Sequence, residues 1–365
     1  MFYSCYLDVL MNNIKNHILS TYQLQLLTKI ERFQGAFEVT KFQRPALVDD
    51  LKQTTIITSS GSSTRIEGAI LTDDQVRELL NNGCQINKVS SRSEREVAGY
   101  IKALTYIYDH YESLEISEKT IREIHDLLTS ELTEDQLPRK QRGAYKDVTN
   151  NVIEQNLVTG ESKIWVETSP PGPATNTAME HLVSTYNLLN NDRECHPLIL
   201  TAGFIVNFLA IHPFRDGNGR LSRLLTGLLL LRHGYLWSQF TSHEKVIEDN
   251  KEGYYIALRD TQVTFKSGHS DYDKWLSFFL RVVSTQTEIL QSRISQESPA
   301  SILNENERLI YSVIKANGEC KIGFLLEQTN LTRAGLKSLM KRLVDKKIII
   351  REGVGKGTIY RLKPI

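Results

Sequence analysis

Cysteine is scarce in this sequence. Four cysteines occur among 365 residues, at Cys5, Cys84, Cys195 and Cys320, and no two of them form a CxxC pair. Their scatter, together with the absence of Cys–His ligand spacing, argues against a disulfide framework and against a zinc site. We therefore expect the protein to work in a reducing compartment, the cytoplasm.

Long apolar runs are also missing. The longest, Leu198 to Ile211, is interrupted by Thr201 and Asn207 and is too short to cross a bilayer. The N-terminal sequence has no basic segment and carries Asp8 inside its apolar stretch, which argues against a secretory signal. These features predict a protein without membrane contact.

No charge of one sign dominates the whole chain. The 44 Lys+Arg and 43 Asp+Glu leave a formal charge of +1, which gives no argument for a nucleic-acid-binding polycation. The last 65 residues differ, because they contain 13 Lys+Arg against 6 Asp+Glu. The C-terminal part is therefore compositionally distinct and basic.

The length predicts two or three folding units. A polar stretch that contains a proline, Gln291 to Glu307, precedes the basic C-terminal part and is typical of a linker. We therefore predict an N-terminal helical region at 1–110, a helical core at 111–290, a linker at 291–306 and a C-terminal domain at 307–365.

The core pattern is mainly that of amphipathic helices, with apolar residues three and four positions apart. The predicted helices are Glu94–His110, Ile116–Leu132, Thr177–Leu189, Leu198–His212, Asn218–His233, Glu252–Gln262 and Tyr272–Ile294. Between them, Ala144 to Pro171 mixes β-branched residues with Asn, Thr, Gly and Pro, which is typical of a β-hairpin or an extended flap. The sequence therefore predicts a mainly α fold with a small hairpin.

The C-terminal part has a different order of elements. Three helices, at Glu307–Ala316, Ile322–Gln328 and Arg333–Asp345, precede two β-rich pieces at Ile348–Arg351 and Thr358–Leu362. This α+β order resembles the winged-helix family in pattern. Lys337, Lys341 and Arg342 on its third helix form either a stripe that faces phosphates or the solvated face of a protein-binding module.

The stretch IHPFRDGNGRLSR, from Ile211 to Arg223, has the pattern of an anion-binding site. An apolar helix ends near His212, and a turn with Gly217 and Gly219 lets backbone N–H groups converge without obstruction by Cβ atoms. The N-terminus of the next helix adds its partial positive charge. The sequence therefore predicts a nest for phosphate groups at this turn.

Three kinds of side chain complete the chemistry of the turn. Arg220 and Arg223 are three residues apart and can clamp phosphates. Asp216 supplies one hard oxygen, as a phosphate-bound Mg²⁺ accepts. His212 is suited to accept a proton from a hydroxyl at neutral pH. These residues predict a nucleotide-phosphate site with a general base; the alternative is a helix-turn-helix corner with a solvated basic end.

The same residues carry a family resemblance. From His212 to Arg223, every defining position of the Fic signature HxFx[DE]GNGRxxR is matched, so the chain resembles the Fic family. The resemblance implies an all-helical core that transfers AMP from ATP to a Ser, Thr or Tyr hydroxyl of a protein, including the enzyme itself. It also implies ATP as substrate and Mg²⁺ as metal.

The resemblance assigns roles within the signature. His212 would be the catalytic base, Asp216 would hold Mg²⁺, and Asn218 with the glycine-flanked backbone would bind the α-phosphate. The two arginines would hold the β- and γ-phosphates. The nucleotide-binding set implied within the signature is Asp216, Gly217, Asn218, Gly219, Arg220, Leu221 and Arg223.

A second motif lies far upstream. Residues 63–68, STRIEG, are similar to the Fic inhibitory motif [ST]xxxE[GN], and Ser63 and Glu67 are four apart, hence on one helix face. The resemblance implies that Glu67 pairs with Arg223 and occupies the γ-phosphate position, so that ATP binds unproductively. The alternative is a helix cap followed by a surface glutamate.

Further site residues follow from weaker likeness. The segment Trp165, Val166, Glu167 and Thr168 resembles the Fic flap, which aligns a target peptide by backbone pairing. Asn207 could face the nucleotide, and Asn250, Tyr254 and Tyr255 match a segment that lines the adenine pocket in relatives. For Asn207 and the two tyrosines, packing in the core is the alternative.

Three hypotheses of function follow. The leading one is an autoinhibited protein adenylyltransferase. A second uses the same site in reverse, with Glu67 positioning water to remove AMP from a modified protein. A third is a DNA-binding regulator with a Fic sensor core, which would contact DNA through 307–365. A homodimer stays open, and a toxin is disfavoured because the inhibitory motif is part of the chain.

Overall fold

Helices form nearly all of the regular structure of the chain. The computed structural model describes residues 13–41, 45–87, 89–155, 162–193, 195–265, 270–296, 303–329, 331–346, 348–353, 355 and 358–363. The chain divides into two units, the first of Met1–Glu38 and Asp50–Leu290 and the second of Val39–Asp49 and Gln291–Ile365.

Eleven α-helices and one hairpin are found between residues 21 and 296 of the described chain. The helices are α1 (Thr21–Lys41), α2 (Pro45–Ile66), α3 (Asp73–Asn81), α4 (Arg92–His110), α5 (Glu118–Thr129), α6 (Pro173–Asp192), α7 (Pro197–Ile211), α8 (Asn218–Arg232), α9 (His243–Asp249), α10 (Lys251–Phe265) and α11 (Asp273–Gln296). Short 3₁₀ turns lie at Arg139–Gln141 and Leu236–Phe240.

The core of the first unit is built around α7. Nearly every residue of this helix is buried, and α7 packs against both α6 and α8. A helix that is apolar on all sides is stable only when other elements surround it. Pro197 at the first turn has the preset φ that favours helix initiation. The end of α7 is therefore held rigidly, which matters because the signature turn begins there.

The predicted flap is a two-stranded antiparallel hairpin. Strand β1 (Val152–Gln155) pairs with β2 (Ser162–Val166), with an irregularity in the register between Val152 and Ile153. Strand β2 packs against α10. The prediction of a mainly helical fold with a small hairpin is confirmed.

The second unit contains three further helices and three strands among its described residues. They are α12 (Glu305–Asn317), β3 (Glu319–Lys321), α13 (Ile322–Gln328), α14 (Arg333–Asp345), β4 (Ile349–Glu352) and β5 (Ile359–Leu362). The strands form an antiparallel sheet in the order β3-β5-β4. Ile310, Leu325, Leu336 and Leu343 form the centre of its core.

The predicted helix order of this unit is found, and the bounds of α13 and α14 are those predicted from the sequence. Strand β3 was missed, because three residues are too short to show an alternating pattern. Helix α11 runs to Gln296, into the stretch predicted as a linker, and residues 297–302 of that stretch lie outside the described residues. Among the helices of the described chain, none combines the length and the apolarity that a membrane span requires.

Candidate active site

The signature turn begins where α7 ends. His212 adopts the left-handed conformation, with φ 52° and ψ 59°, and its N–H donates to the Phe208 carbonyl. Only three non-glycine residues of the described chain have a positive φ, and the other two are Cys84 and Arg193. Such a conformation costs free energy and persists only where the surroundings enforce it. The chain then reverses and enters α8 through Gly217, which has φ 82°.

Two side chains hold the turn in shape. The Asn218 amide donates to the Phe214 carbonyl at 2.7 Å, and its oxygen accepts from the Phe214 N–H at 2.9 Å. His125 stacks on the Phe214 ring, with 3.8 Å between centroids. Its Nδ1 accepts from the Gly143 N–H and its Nε2 donates to the Asp216 carbonyl, each at 2.9 Å. Both polar ends of Asn218 are thus used on the turn itself.

His212 is held in one tautomer. Its Nδ1 lies 3.3 Å from the Leu209 carbonyl, which can only accept, so Nδ1 carries the proton and Nε2 keeps a lone pair. Burial, with a smaller contribution from the positive charge of Lys146, lowers the pKa of His212 to about 4. The imidazole is therefore neutral at pH 7 and able to accept a proton at Nε2.

Asp216 is held as a carboxylate by positive neighbours. Its Oδ1 accepts from the Gly217 N–H at 2.6 Å and from Arg220 at 3.2 Å, and its Oδ2 accepts from Arg92 at 2.8 Å. Burial alone would raise its pKa, but Arg220, the Gly217 N–H and Arg92 outweigh this and lower the pKa. Arg220 also contacts Glu96 at 3.2 Å.

Arg223 is completely enclosed and faces the end of α2. Its Nη2 donates to Glu67 Oε1 and to the Ser63 carbonyl, and its Nε donates to Ser63 Oγ, all at 2.8 Å. Although burial opposes it, the nearby Glu67 carboxylate raises the pKa of Arg223. The sequence motif and the signature arginine, 156 positions apart, therefore meet in an ion pair whose arginine is buried and whose carboxylate is partly exposed.

Glu67 also reaches the N-terminus of α8. A Cβ placed on Gly219 would lie 2.2 Å from Glu67 Oε1, so glycine is the residue that lets the carboxylate come this close. The first N–H groups of a helix have no partner within the helix and attract anions. The Glu67 carboxylate thus lies where an anion is favoured.

Most of these groups line one cavity of about 710 Å³, whereas Arg223 and Ser63 lie behind its wall. Its lining includes the predicted site residues Glu67, Trp165, Val166, His212, Asp216, Gly217, Asn218, Gly219, Arg220, Tyr254 and Tyr255. No group of three or more His, Cys, Asp or Glu suited to a metal is found among the residues that the structure describes. Asp216 offers one carboxylate ligand at the cavity wall, beside the signature turn, which fits a Mg²⁺ held mainly by nucleotide phosphates.

Comparison with known proteins identifies a domain that contributes to this cavity. The model of the Fic/DOC family matches residues 115–230. This part of the chain is a Fic domain.

The curated relatives match this chain over part of their length. The curated protein adenylyltransferase Fic of Drosophila persimilis is 29% identical over 174 residues, which are 47% of this chain and 31% of that protein. The chain thus spans about a third of the length of the curated relatives it matches.

Two solved structures have a similar fold. A Fic family protein from Desulfovibrio desulfuricans gives a TM-score of 0.65 at 20% identity, covering 95% of this chain and 97% of that one. A Fic-domain signalling protein from Bacteroides thetaiotaomicron gives 0.59 at 22% identity, covering 78% and 100%. At these identities the likeness concerns the fold alone.

Several residues predicted for the Fic site lie outside the described lining of the cavity. Asn207 is buried in α7, where its amide donates to the Gly203 carbonyl at 2.7 Å and contacts Tyr272. Leu221 is a core residue of α8. The Asn250 side chain lies against Gly253 in the first turn of α10. Their nucleotide contacts remain predictions.

The flap residues of the Fic domain take different positions. Trp165 and Val166 end strand β2 and line the cavity, and Arg259 of α10 lies 4.7 Å above the Trp165 ring. Glu167 is exposed just after the strand, whereas Thr168 is buried. Peptide docking on this segment remains a prediction.

Lys146 is a site residue that sequence reasoning missed. Its buried Nζ donates to Asn150 at 2.6 Å, to Thr168 at 2.8 Å and to the Ile211 carbonyl at 3.2 Å. Burial lowers its pKa to about 8. It joins both ends of the hairpin to the residue before His212. No local pattern marks it, since two of its three partners, Thr168 and Ile211, are far away in sequence.

Glu244 is a second missed residue. This buried carboxylate of α9 accepts from Ser59 at 2.7 Å, from Ser242 at 2.8 Å and from Tyr100 at 2.8 Å. Burial alone would raise its pKa, but His243 and the hydroxyl donors lower it. Because Ser59 belongs to α2, the network anchors the helix that directly precedes Glu67.

Proposed function

We propose that this chain is an autoinhibited protein adenylyltransferase, which transfers AMP from ATP to a Ser, Thr or Tyr hydroxyl of a protein, including itself. The observation that carries the proposal is the cavity shared by His212, the helix N-terminus at Gly219 and Glu67, whose carboxylate pairs with Arg223. A neutral base, an anion nest and a carboxylate within that nest fit phosphoryl chemistry under internal restraint.

The transfer step needs one proton acceptor. His212 Nε2 takes the proton of the target hydroxyl, whose oxygen attacks the α-phosphorus of ATP. The new bond is oxygen to α-phosphorus, and the bond that breaks joins the α-phosphorus to the bridging oxygen of pyrophosphate. Pyrophosphate leaves with that electron pair, and the protein keeps a phosphodiester-linked AMP. The Nδ1 contact with Leu209 supports this role because it keeps Nε2 unprotonated.

The phosphates would be held by the turn and by α8. The N–H groups at the start of α8 and the guanidinium of Arg220 are the available donors. Asp216 would hold Mg²⁺, which supplies charge neutralisation to the phosphates when bound. In the structure Arg92 contacts the same carboxylate. Its side chain is half exposed, so it can move away from Asp216 when a metal binds.

Inhibition would follow from competition of like charges. The Glu67 carboxylate accepts a hydrogen bond from Arg223 Nη2 and lies against Gly219. A γ-phosphate would therefore be repelled by a negative charge at this position. ATP is then held unproductively or excluded. Removing the carboxylate frees Arg223 for phosphate.

The test is the intact mass of three purified variants after incubation with ATP and Mg²⁺: Glu67→Gly, Glu67→Gly/His212→Ala and Glu78→Gly. Glu78 is exposed on α3 and serves as the matched control. We expect AMP addition by Glu67→Gly to exceed that of the wild type by at least about tenfold, the effect of ~1.4 kcal/mol. The double variant should add none.

Two outcomes would contradict parts of the proposal. Equal AMP addition by the wild type, Glu67→Gly and Glu78→Gly would contradict the proposed autoinhibition. If Glu67→Gly added no AMP although calorimetry showed that it binds ATP, AMP transfer would be contradicted as the function. If the wild type then released AMP from a modified protein and Glu67→Gly did not, the reverse reaction would be the function.

A further inference from the structure

Four charged side chains form one network at the wall of the cavity. Two carboxylates, those of Glu96 and Asp216, lie between two guanidinium groups, those of Arg92 and Arg220. Arg92 donates to Glu96 at 2.9 Å and to Asp216 at 2.8 Å. Arg220 lies 3.2 Å from each of the two carboxylates. With two charges of each sign, the network is neutral.

The two arginines differ in how firmly they are held. The side chain of Arg220 is 3% exposed, whereas that of Arg92 is 50% exposed. Arg92 is the first residue of α4, and the partial positive charge at a helix N-terminus disfavours a cation. The two carboxylates therefore hold Arg92 in place, and the helix does not. Arg92 is the member of the network that can leave without disturbing the core.

The two oxygens of Asp216 differ as well. Its Oδ1 accepts from the Gly217 N–H at 2.6 Å and from Arg220 at 3.2 Å, and both donors belong to the signature turn and the start of α8. These two bonds use both lone pairs of Oδ1. Its Oδ2 accepts from Arg92. The oxygen that is available to a metal is thus the one that Arg92 covers.

A structural role alone does not account for this position of Arg92. The start of α4 is already fixed by a capping box, in which the side chains of Ser91 and Glu94 each accept from the other residue's backbone N–H. An ion pair that is half exposed contributes little to stability. The contact with Asp216 therefore points to a role in the cavity.

We propose, on the basis of the role proposed above for Asp216, that Arg92 competes with Mg²⁺ for this carboxylate and makes metal binding depend on nucleotide. A divalent cation in place of one guanidinium turns the neutral network into one with a net charge of +1. An uncompensated charge that is partly removed from water costs free energy. Nucleotide phosphates supply the compensating negative charge, so metal and nucleotide favour each other's binding.

The test is the concentration of free Mn²⁺, measured by electron paramagnetic resonance, as the full chain is titrated with Mn²⁺ without ATP. Mn²⁺ is the probe because, like Mg²⁺, it prefers oxygen ligands. Arg92→Gln should bind Mn²⁺ about tenfold more tightly than the wild type, because no charge-assisted hydrogen bond must be broken. Asp216→Asn in the Arg92→Gln background should abolish this gain.

The matched control is Arg215→Gln. Arg215 lines the same cavity and is exposed, and no ion pair joins it to an acidic residue within the described chain. This variant removes the same charge without uncovering Asp216, so its affinity for Mn²⁺ should stay within about twofold of that of the wild type, since solvent screens the lost charge.

Three results would overturn the competition. They are equal affinity of the wild type and Arg92→Gln for Mn²⁺, an equal gain in Arg92→Gln and Arg215→Gln, and a gain that persists when Asp216 is replaced. Because ATP takes no part in the titration, any of these results would leave AMP transfer by Glu67→Gly standing. Failure of that transfer would likewise leave the competition for Asp216 measurable.

Discussion

At the scale of single residues, burial sets the protonation states of two side chains at the site, His212 and Lys146. His212 and Lys146 lie close enough for their charges to interact, and burial favours the neutral form of each. The fixed Nδ1 proton of His212 and the three acceptors of Lys146 are consequences of the same tight packing. Neither property can be assigned to an isolated side chain.

Lys146→Met, made in the Glu67→Gly background, should change the pH dependence of AMP transfer. Loss of the positive charge removes a repulsion that now lowers the pKa of His212, so the pKa should rise from about 4. The acid limb of the rate profile should move to higher pH. The rate at pH 7 should fall by about tenfold or more, because three acceptors lose their donor.

Rates measured by mass between pH 4 and 8, for variants with and without Lys146→Met, would show this shift. Lys140→Met is the control, since Lys140 lies in the nearby 3₁₀ turn and is exposed. A lower rate with an unchanged acid limb would mean that Lys146 acts through folding alone.

At the scale of elements, the proposed inhibition requires that α2 stay docked. Its last turn supplies Ser63 and precedes Glu67, and the turn before it supplies Ser59, which donates to the buried Glu244 of α9. A hydrogen bond to a charged group contributes roughly 1.5–3 kcal/mol. The docked position of α2 is therefore stabilised at two separate places along one helix.

Ser59→Ala should raise AMP transfer in an otherwise wild-type chain. The substitution removes a bond that exists only while α2 is docked, so the basal rate should increase several-fold and stay below that of Glu67→Gly. Ser184→Ala is the matched control, because Ser184 is exposed on α6 and bonds only within its own helix. A Ser59→Ala rate equal to that of the wild type would contradict the anchoring role of Glu244.

At the scale of the whole molecule, buried histidines should make the first unit sensitive to acid. Burial lowers the pKa of His125, His212 and His233 to about 4, against an ordinary value of 6.5. Between these values the unfolded state binds more protons than the folded state. The free energy of unfolding therefore falls as the pH falls from about 6.5 towards 4.

His125 gives the clearest measurement, since it is fully buried. It should account for about 2 kcal/mol of the loss between pH 8 and pH 5. Urea unfolding followed by tryptophan fluorescence reports the first unit, because Trp165, Trp237 and Trp275 all belong to it. His125→Gln should show a smaller difference between the two pH values, whereas exposed His110→Gln should keep the wild-type difference.

The sequence by itself determined those features that depend on residues close together in the chain. The turn from His212 to Arg223 carries its chemistry within about three helical turns, and Ser63 and Glu67 share one face by spacing alone. Helices α13 and α14 have the predicted bounds because capping and apolar spacing are local. The mainly helical fold followed from the same periodicity.

Only the tertiary structure decided which distant groups meet. Lys146, His125 and Glu244 reach the site region from separate segments, and no local pattern distinguishes them from ordinary polar residues. Asn207 is the opposite case, because the sequence marked it as a possible ligand contact. A polar residue in an apolar helix looks the same in sequence whether its side chain contacts a ligand or, as here, donates to a backbone carbonyl. Spacing specifies which residues share a face of a helix, and packing between elements specifies what that face contacts.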